Sequence, residues 1–162
     1  MALLSLDLGW QYGYCLVRRG DHLTSGSVDL RKHNPTDGMR LLTKRQWLTS
    51  LLGQLANAGE RLDAIYFEEI NFVGKNGVAP LHAHGAQLGT VQSWCALKKV
   101  PEPIGIPWDY AKKHLTGHRS AARETVFDEI KKRYPSVKDP DEASAVAVML
   151  AARTKFQTGA VR

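Results

Sequence analysis

"LLSLDLG" (residues 3–9) is the stretch on which the fold turns. It is a short apolar run that ends in an acid, Asp7, and a glycine, Gly9. A run of this length and character reads as a buried central strand. The next two stretches, "YGYCLVRR" (12–19) and "LTSGSVDL" (23–30), are strand-like and separated by the turn "GDH", so an antiparallel meander opens the domain. "HNPTDG" (33–38) is a turn that offers Thr36 or Asp37 as a helix cap. From Met39 onward apolar residues fall at 41, 42, 47, 48, 51, 52 and 55, which is helical spacing.

A second buried strand, "LDAIYFEEI" (62–70), ends in two glutamates, and the loop "NFVGKNG" (71–77) follows it. Residues 80–99 fit a helix whose small residues Ala83, Gly85, Ala86 and Gly89 allow a close neighbour. "EPIGIP" (102–107) is a short strand, and helices are predicted over 108–115, 120–135 and 139–156. The last is nearly all apolar and so well buried. Five strands, three of them ahead of the first helix, predict an α/β domain with a mixed five-stranded sheet flanked by helices. The chain, 1–162, reads as one domain, long enough to bury a substantial core.

Composition narrows the classes. No run is long enough to span a bilayer, and the N-terminus has no basic region and carries Asp7, so a cytoplasmic protein away from membranes is expected. Cys15 and Cys95 sit in apolar neighbourhoods and read as a reduced, buried pair, with no metal-type spacing. There are 22 Lys plus Arg against 16 Asp plus Glu, a net charge of +6, which suits a polyanionic partner. The basic residues cluster, as at Lys112-Lys113-His114, His118-Arg119 and Lys131-Lys132-Arg133.

The acids carry the chemistry. Asp7 closes one buried strand, Glu68 and Glu69 close another, and Asp139, Asp141 and Glu142 open the last helix. A carboxylate at the edge of an apolar core is costly unless it is paired or metal-bound. If the three sites converge they make an all-oxygen site suited to Mg²⁺ or Mn²⁺. Strand alternation allows only one of Glu68 and Glu69 to reach it, and both strands must present their acids to one face. "D-P-D-E" also places Asp139 at the N-cap, Pro140 at N1 and Glu142 at N3, a capping-box arrangement. Asp139 is read as the cap, and Asp141, in the first turn, gains from the helix dipole as well.

These residues resemble the RuvC-type Holliday-junction resolvases of the ribonuclease H-like superfamily, particularly the small phage members. "SLDLG" followed by "YGYCLV" is similar to the family's first-strand Asp motif and glycine-containing second strand. "AIYFEEI" resembles its fourth-strand motif, with Glu68 as the catalytic carboxylate. "AKKHLTGHRSAARETV" resembles its Lys-x-x-Val-Thr-Gly stretch, with Lys112 and Arg123 on the basic positions. "DEASAVAV" resembles its last-helix motif. The resemblance implies a ribonuclease H-like fold, a homodimer, and branched DNA, four-way junctions above all, as substrate. It implies Mg²⁺, with Mn²⁺ as a substitute and two ions per site, held by Asp7, Glu68 and Asp141; Glu142 is read from this chain's own residues as a further catalytic carboxylate that completes the site. Such ions activate a water and stabilise the leaving 3′ oxygen, leaving 5′-phosphate ends.

On the same resemblance Lys112 and Arg123 neutralise phosphates; read from the residues themselves, Arg119 adds positive charge to its loop, Lys75 beside two glycines is placed for a backbone phosphate, and Phe72 for stacking on a base. Each of these also has a plain reading as a solvated charge or a buried ring. Trp10 reads as core or rim, and His82 as a packing or polar-network residue, with His84 also left out of the metal site. The chain departs from the family at Ser144, where a second acid is usual, and at Arg119, where glycine is frequent. Two alternatives stay open: another ribonuclease H-like nuclease acting on branched DNA or hybrids, and a junction-binding protein impaired in cutting.

Overall fold

In the computed structural model the described residues are 1–70 and 78–157, and the expected Phe72 and Lys75 contacts lie outside them. Three strands, β1 (Ala2–Asp7), β2 (Gln11–Arg18) and β3 (His22–Asp29), precede α1 (Asp37–Asn57). Then come β4 (Leu62–Glu69), α2 (Val78–Lys98), β5 (Ile104–Pro107), α3 (Trp108–Thr116), α4 (Arg123–Arg133) and α5 (Pro140–Gln157). The sheet order is β3-β2-β1-β4-β5. β1, β2 and β3 form the antiparallel meander, whereas β4 runs parallel to both β1 and β5. The expected mixed five-stranded sheet is therefore present, with β1 at its centre.

Side-chain alternation along β1 divides the core in two. Leu4 and Leu6 face α1 and α2, where Leu48, Leu55, Val91, Trp94 and Cys95 complete one cluster. The opposite face packs against α5, whose Ala143–Met149 stretch is buried throughout, with α3 and α4 covering its outer side. A helix enclosed on all sides has no solvated stripe, which is why its sequence is apolar all round. Cys15 and Cys95 are buried and free, one in each cluster. Among the described residues no helix is long and apolar enough to cross a membrane.

Two local expectations shift. On α1, Leu42 is 55% exposed, while Lys44 is fully buried. The Lys44 nitrogen lies 3.1 Å from the centre of the Tyr12 ring, and burial pulls its pKa well below the ordinary lysine value. Helix α4 starts at Arg123 rather than residue 120, because Ala122 is extended (φ −66°, ψ 157°) and takes the N-cap position without a side-chain bond. Arg123 is thereby the first helical residue. Thr36 is the cap of α1, its hydroxyl accepting from the Met39 N–H at 3.3 Å.

Candidate active site

The site follows from strand register. Asp7 ends β1 on the α5 face, since Leu4 and Leu6 take the other. In the parallel pair, Leu6 stands beside Phe67, so the next rung sets Asp7 beside Glu68. Glu68 shares its face with Tyr66 and with Ile106, its partner on β5, both packed in the α5 cluster. Glu69 turns to the opposite face, beside Gly105. The condition that both strands present an acid to one face is met by Asp7 and Glu68.

The third acid arrives from above. On its other side Asp7 pairs with Gly13 of β2. A Cβ at Gly13 would coincide with the backbone carbonyl of Asp141 and lie 2.8 Å from the Glu142 nitrogen. The missing side chain is what lets the first turn of α5 sit directly on the strand. Asp7, Glu68 and Asp141 consequently line one cleft of about 490 Å³, together with Arg31, Trp108 and Arg123. A single nitrogen of Arg123, Nη2, donates to Asp7 Oδ2 at 2.7 Å and to Asp141 Oδ1 at 2.6 Å.

Burial dominates the electrostatics. It pushes the Glu68 carboxyl up to about 8, with the Asp7 and Asp141 charges adding to the rise and Arg123 and Lys112 opposing it. Asp7 is pushed up to about 6 by burial, against the pull of Arg123. Ser144, fully buried, lies close enough to Asp7 to favour its ionised form, yet among the described residues its hydroxyl has no well-formed hydrogen bond. As placed, no three described Asp, Glu, His or Cys side chains close around a single point as a ligand cage. The acids share a cleft, and Arg123 stands between two of them.

The structure places the other expected residues as follows. Glu142 does not enter the cleft. Its carboxylate accepts from the Ser25 hydroxyl at 2.6 Å and the Lys138 N–H at 2.8 Å. Asp139 accepts from the Glu142 N–H at 2.9 Å, which makes the predicted capping role real. The first turn of α5 thus splits its acids by geometry, with Asp139 and Glu142 spent on the helix end. Lys112 is half-buried and close enough to act on Glu68. Arg119 is exposed and pairs with Asp109 at 3.3 Å. His82 is exposed, and His84 is the buried one, its ring 6.0 Å from that of Phe67. Trp10 forms a wall of the cleft under the Arg40 guanidinium, 5.3 Å from its ring centre, so it is a rim residue. Arg31 and Trp108 had no signal in the sequence, because they reach the cleft from the ends of β3 and β5, the two edges of the sheet.

The raised carboxyls give a pH prediction. A carboxyl with a folded-state value above its ordinary one binds its proton more tightly in the native state, so stability falls as pH rises between the two values. For Glu68 that window runs from 4.5 to about 8, and for Asp7 from 3.8 to about 6. The EDTA-treated protein should therefore melt at a lower temperature at pH 8.5 than at pH 5. Glu68→Gln should raise its melting temperature at pH 8.5 by about 3–6 °C. Calorimetry across the range checks it, and a variant that melts no higher than wild type at pH 8.5 contradicts the buried environment of Glu68.

No protein-family model matches the sequence, and no curated protein matches it. Among solved structures, the chain is similar to Thermus thermophilus RuvC, with a TM-score of 0.72 and 20% identity over 98% of this chain and 97% of that one. It is also similar to T. thermophilus RuvC in complex with Holliday junction substrate, with a TM-score of 0.77 and 20% identity over 98% and 96% of the two chains. The fold is the ribonuclease H-like α/β fold of RuvC, as the strand order and flanking helices indicate.

Proposed function

We propose that this protein is a divalent-metal-dependent endonuclease that cuts branched DNA, with four-way junctions as its preferred substrate. The observation that carries the reading is the meeting of Asp7, Glu68 and Asp141 in one cleft, from two parallel strand ends and a helix start. The likeness in fold to a RuvC solved with a Holliday junction supports the choice of substrate. The donor set fits the metal: three carboxylates and no sulfur or imidazole suit Mg²⁺ or Mn²⁺. Asp7, Glu68 and Asp141 are the residues that would hold it, as two ions in the full reading. The metal's contribution when bound is to activate a water and to stabilise the leaving oxygen of the phosphodiester.

The chain's own side chains do the rest. Lys112 and Arg123 bring positive charge to the acids and neutralise phosphates of the strand being cut. Arg31, ion-paired with Asp29 at 2.9 Å, lines the same cleft, and Trp10 and Trp108 offer flat walls beside it. On α2, Gly85 and Gly89 face open space and Leu81 and Leu97 are 38% and 62% exposed. The small residues of this helix are therefore not all spent on the sheet, and the exposed face suits a second copy of the chain in a twofold dimer. Paired cuts need two sites.

Ser144 favours a second reading, a junction-binding protein impaired in cutting. One assay separates the two. The protein is incubated with a synthetic four-way junction and with matched duplex, in Mg²⁺, Mn²⁺ and EDTA. Symmetrical nicks confined to the junction and to metal support the nuclease. Equal cutting of flaps or hybrids supports a broader ribonuclease H-like activity, and tight salt-sensitive binding without nicks supports the impaired binder. Ser144→Asp adds a carboxylate beside Asp7. It should lower the Mg²⁺ concentration needed for half-maximal cutting roughly tenfold, and a metal titration of the nicking rate measures it.

A further inference from the structure

Arg123 occupies the place that a cation would take between Asp7 and Asp141. We infer that Arg123 is an exchangeable cation that couples divalent-ion binding to DNA-phosphate binding: it holds the acids when both are absent and moves to a phosphate when the ion enters. The inference rests on the function proposed above, and it concerns how the two ligands influence one another.

Three observations carry it. The first is the bridge itself, in which one guanidinium nitrogen serves two carboxylates at 2.7 and 2.6 Å. That nitrogen lies between the two carboxylates, on Asp7 Oδ2 and Asp141 Oδ1, so an ion bridging the acids through those oxygens displaces it. The second is accessibility. The Arg123 side chain is 46% exposed, against 14% for Asp7 and 20% for Asp141, so the acids are set deep and the arginine reaches them from the mouth of the cleft. It is the first residue of α4, so it approaches the acids from an element that carries none of them. The third is the shortage of acid. Ser144 stands beside Asp7 where a carboxylate would supply further negative charge. With that charge missing, the three carboxylates of the cleft cannot neutralise Arg123 and the two divalent ions of the full site together, and the cations compete.

Linkage then fixes the direction of the effect. A phosphate that engages the guanidinium draws it off the acids and raises their affinity for the ion. By reciprocity, the ion raises the affinity for the phosphate. In the alternative, Arg123 is a permanent strut that stays on the acids and helps to build the ion site.

Calorimetric titration of Mn²⁺ into the full-length protein distinguishes the two. Exchange predicts that Arg123→Gln binds Mn²⁺ roughly tenfold more tightly than wild type. Arg61→Gln, which makes the same charge change at the opposite end of β4, should bind as wild type does. A strut predicts weaker binding by Arg123→Gln, and weaker or unchanged affinity overturns the inference. In a second arm Ca²⁺ is titrated with and without saturating four-way junction, and a denaturing gel confirms that the DNA is uncut. Exchange predicts that the junction tightens Ca²⁺ binding to wild type several-fold more than to Arg123→Gln, and equal tightening overturns it. If neither protein binds Mn²⁺ or Ca²⁺ while circular dichroism shows both folded, the metal site itself fails, and the exchange falls with it.

Discussion

On the proposed function, Asp7→Asn should abolish cutting of a four-way junction, by about 10³-fold or more, and leave junction binding largely intact. Asp7 is the central member of the acid group. It stands beside Glu68 in the sheet, beneath the first turn of α5, and under the Arg123 bridge. Asparagine keeps the shape and removes the charge that a divalent ion needs. The electrostatics separate this loss from misfolding. Burial holds the Asp7 carboxyl well above its ordinary range, so the fold gains nothing at neutral pH from ionising it. The asparagine variant should therefore melt within a few degrees of wild type, or above it. Gel assays of nicking and of binding, read beside a melting curve, measure all three quantities. Nicking at the wild-type rate by a folded variant removes Asp7 from the chemistry and with it the proposed site.

Much of this was legible in the sequence, and the reasons are local. Short apolar runs ending in acids announce buried strands whose ends meet solvent, and alternation then decides which acid faces which layer. The period of two says that only one of Glu68 and Glu69 reaches the site; the motif resemblance points to Glu68, which shares the face of Tyr66 and Ile106. The division of labour in "DPDE" was half legible: Asp139 caps as its position predicts, but the choice between Glu142 as ligand and as cap partner depended on Ser25, which lies 117 positions away in sequence. Lys44 was invisible because helical spacing counts apolar residues and a lysine does not register. Its burial depends on a ring, Tyr12, supplied by another strand. The Arg123 bridge was equally hidden. Motif resemblance marked Arg123 as a basic position for DNA, and only the three-dimensional placement of α4 against α5 shows that its present partners are the acids themselves.

Among the described glycines, Gly13→Ala should be the most damaging, because at Gly13 the sequence, the packing and the site depend on one missing Cβ. The residue lies mid-strand in β2, paired with Asp7 on one side and with Ser27 of β3 on the other. An added methyl would occupy the space of the Asp141 carbonyl, a backbone group that no rotamer change can move away. Relief requires α5 to lift from the sheet. That helix packs against β1, β2 and β4 and buries Ala143 through Met149, so lifting it opens one of the two core clusters. Overpacking of this kind costs about 3 kcal/mol or more, a fall in melting temperature of about 10 °C for a domain of this size. Gly53→Ala is the control. Gly53 sits inside α1 with nothing within 4 Å of its would-be Cβ, so alanine should stabilise the helix by about 0.5–1 kcal/mol. The same chemical change thus carries opposite signs at two glycines. If enough Gly13→Ala protein folds at low temperature to assay, it should still cut poorly, since Asp141 travels with the displaced helix end. A Gly13→Ala protein that melts with wild type would mean that α5 does not cross the strand at this point, and that Asp141 is not set over Asp7.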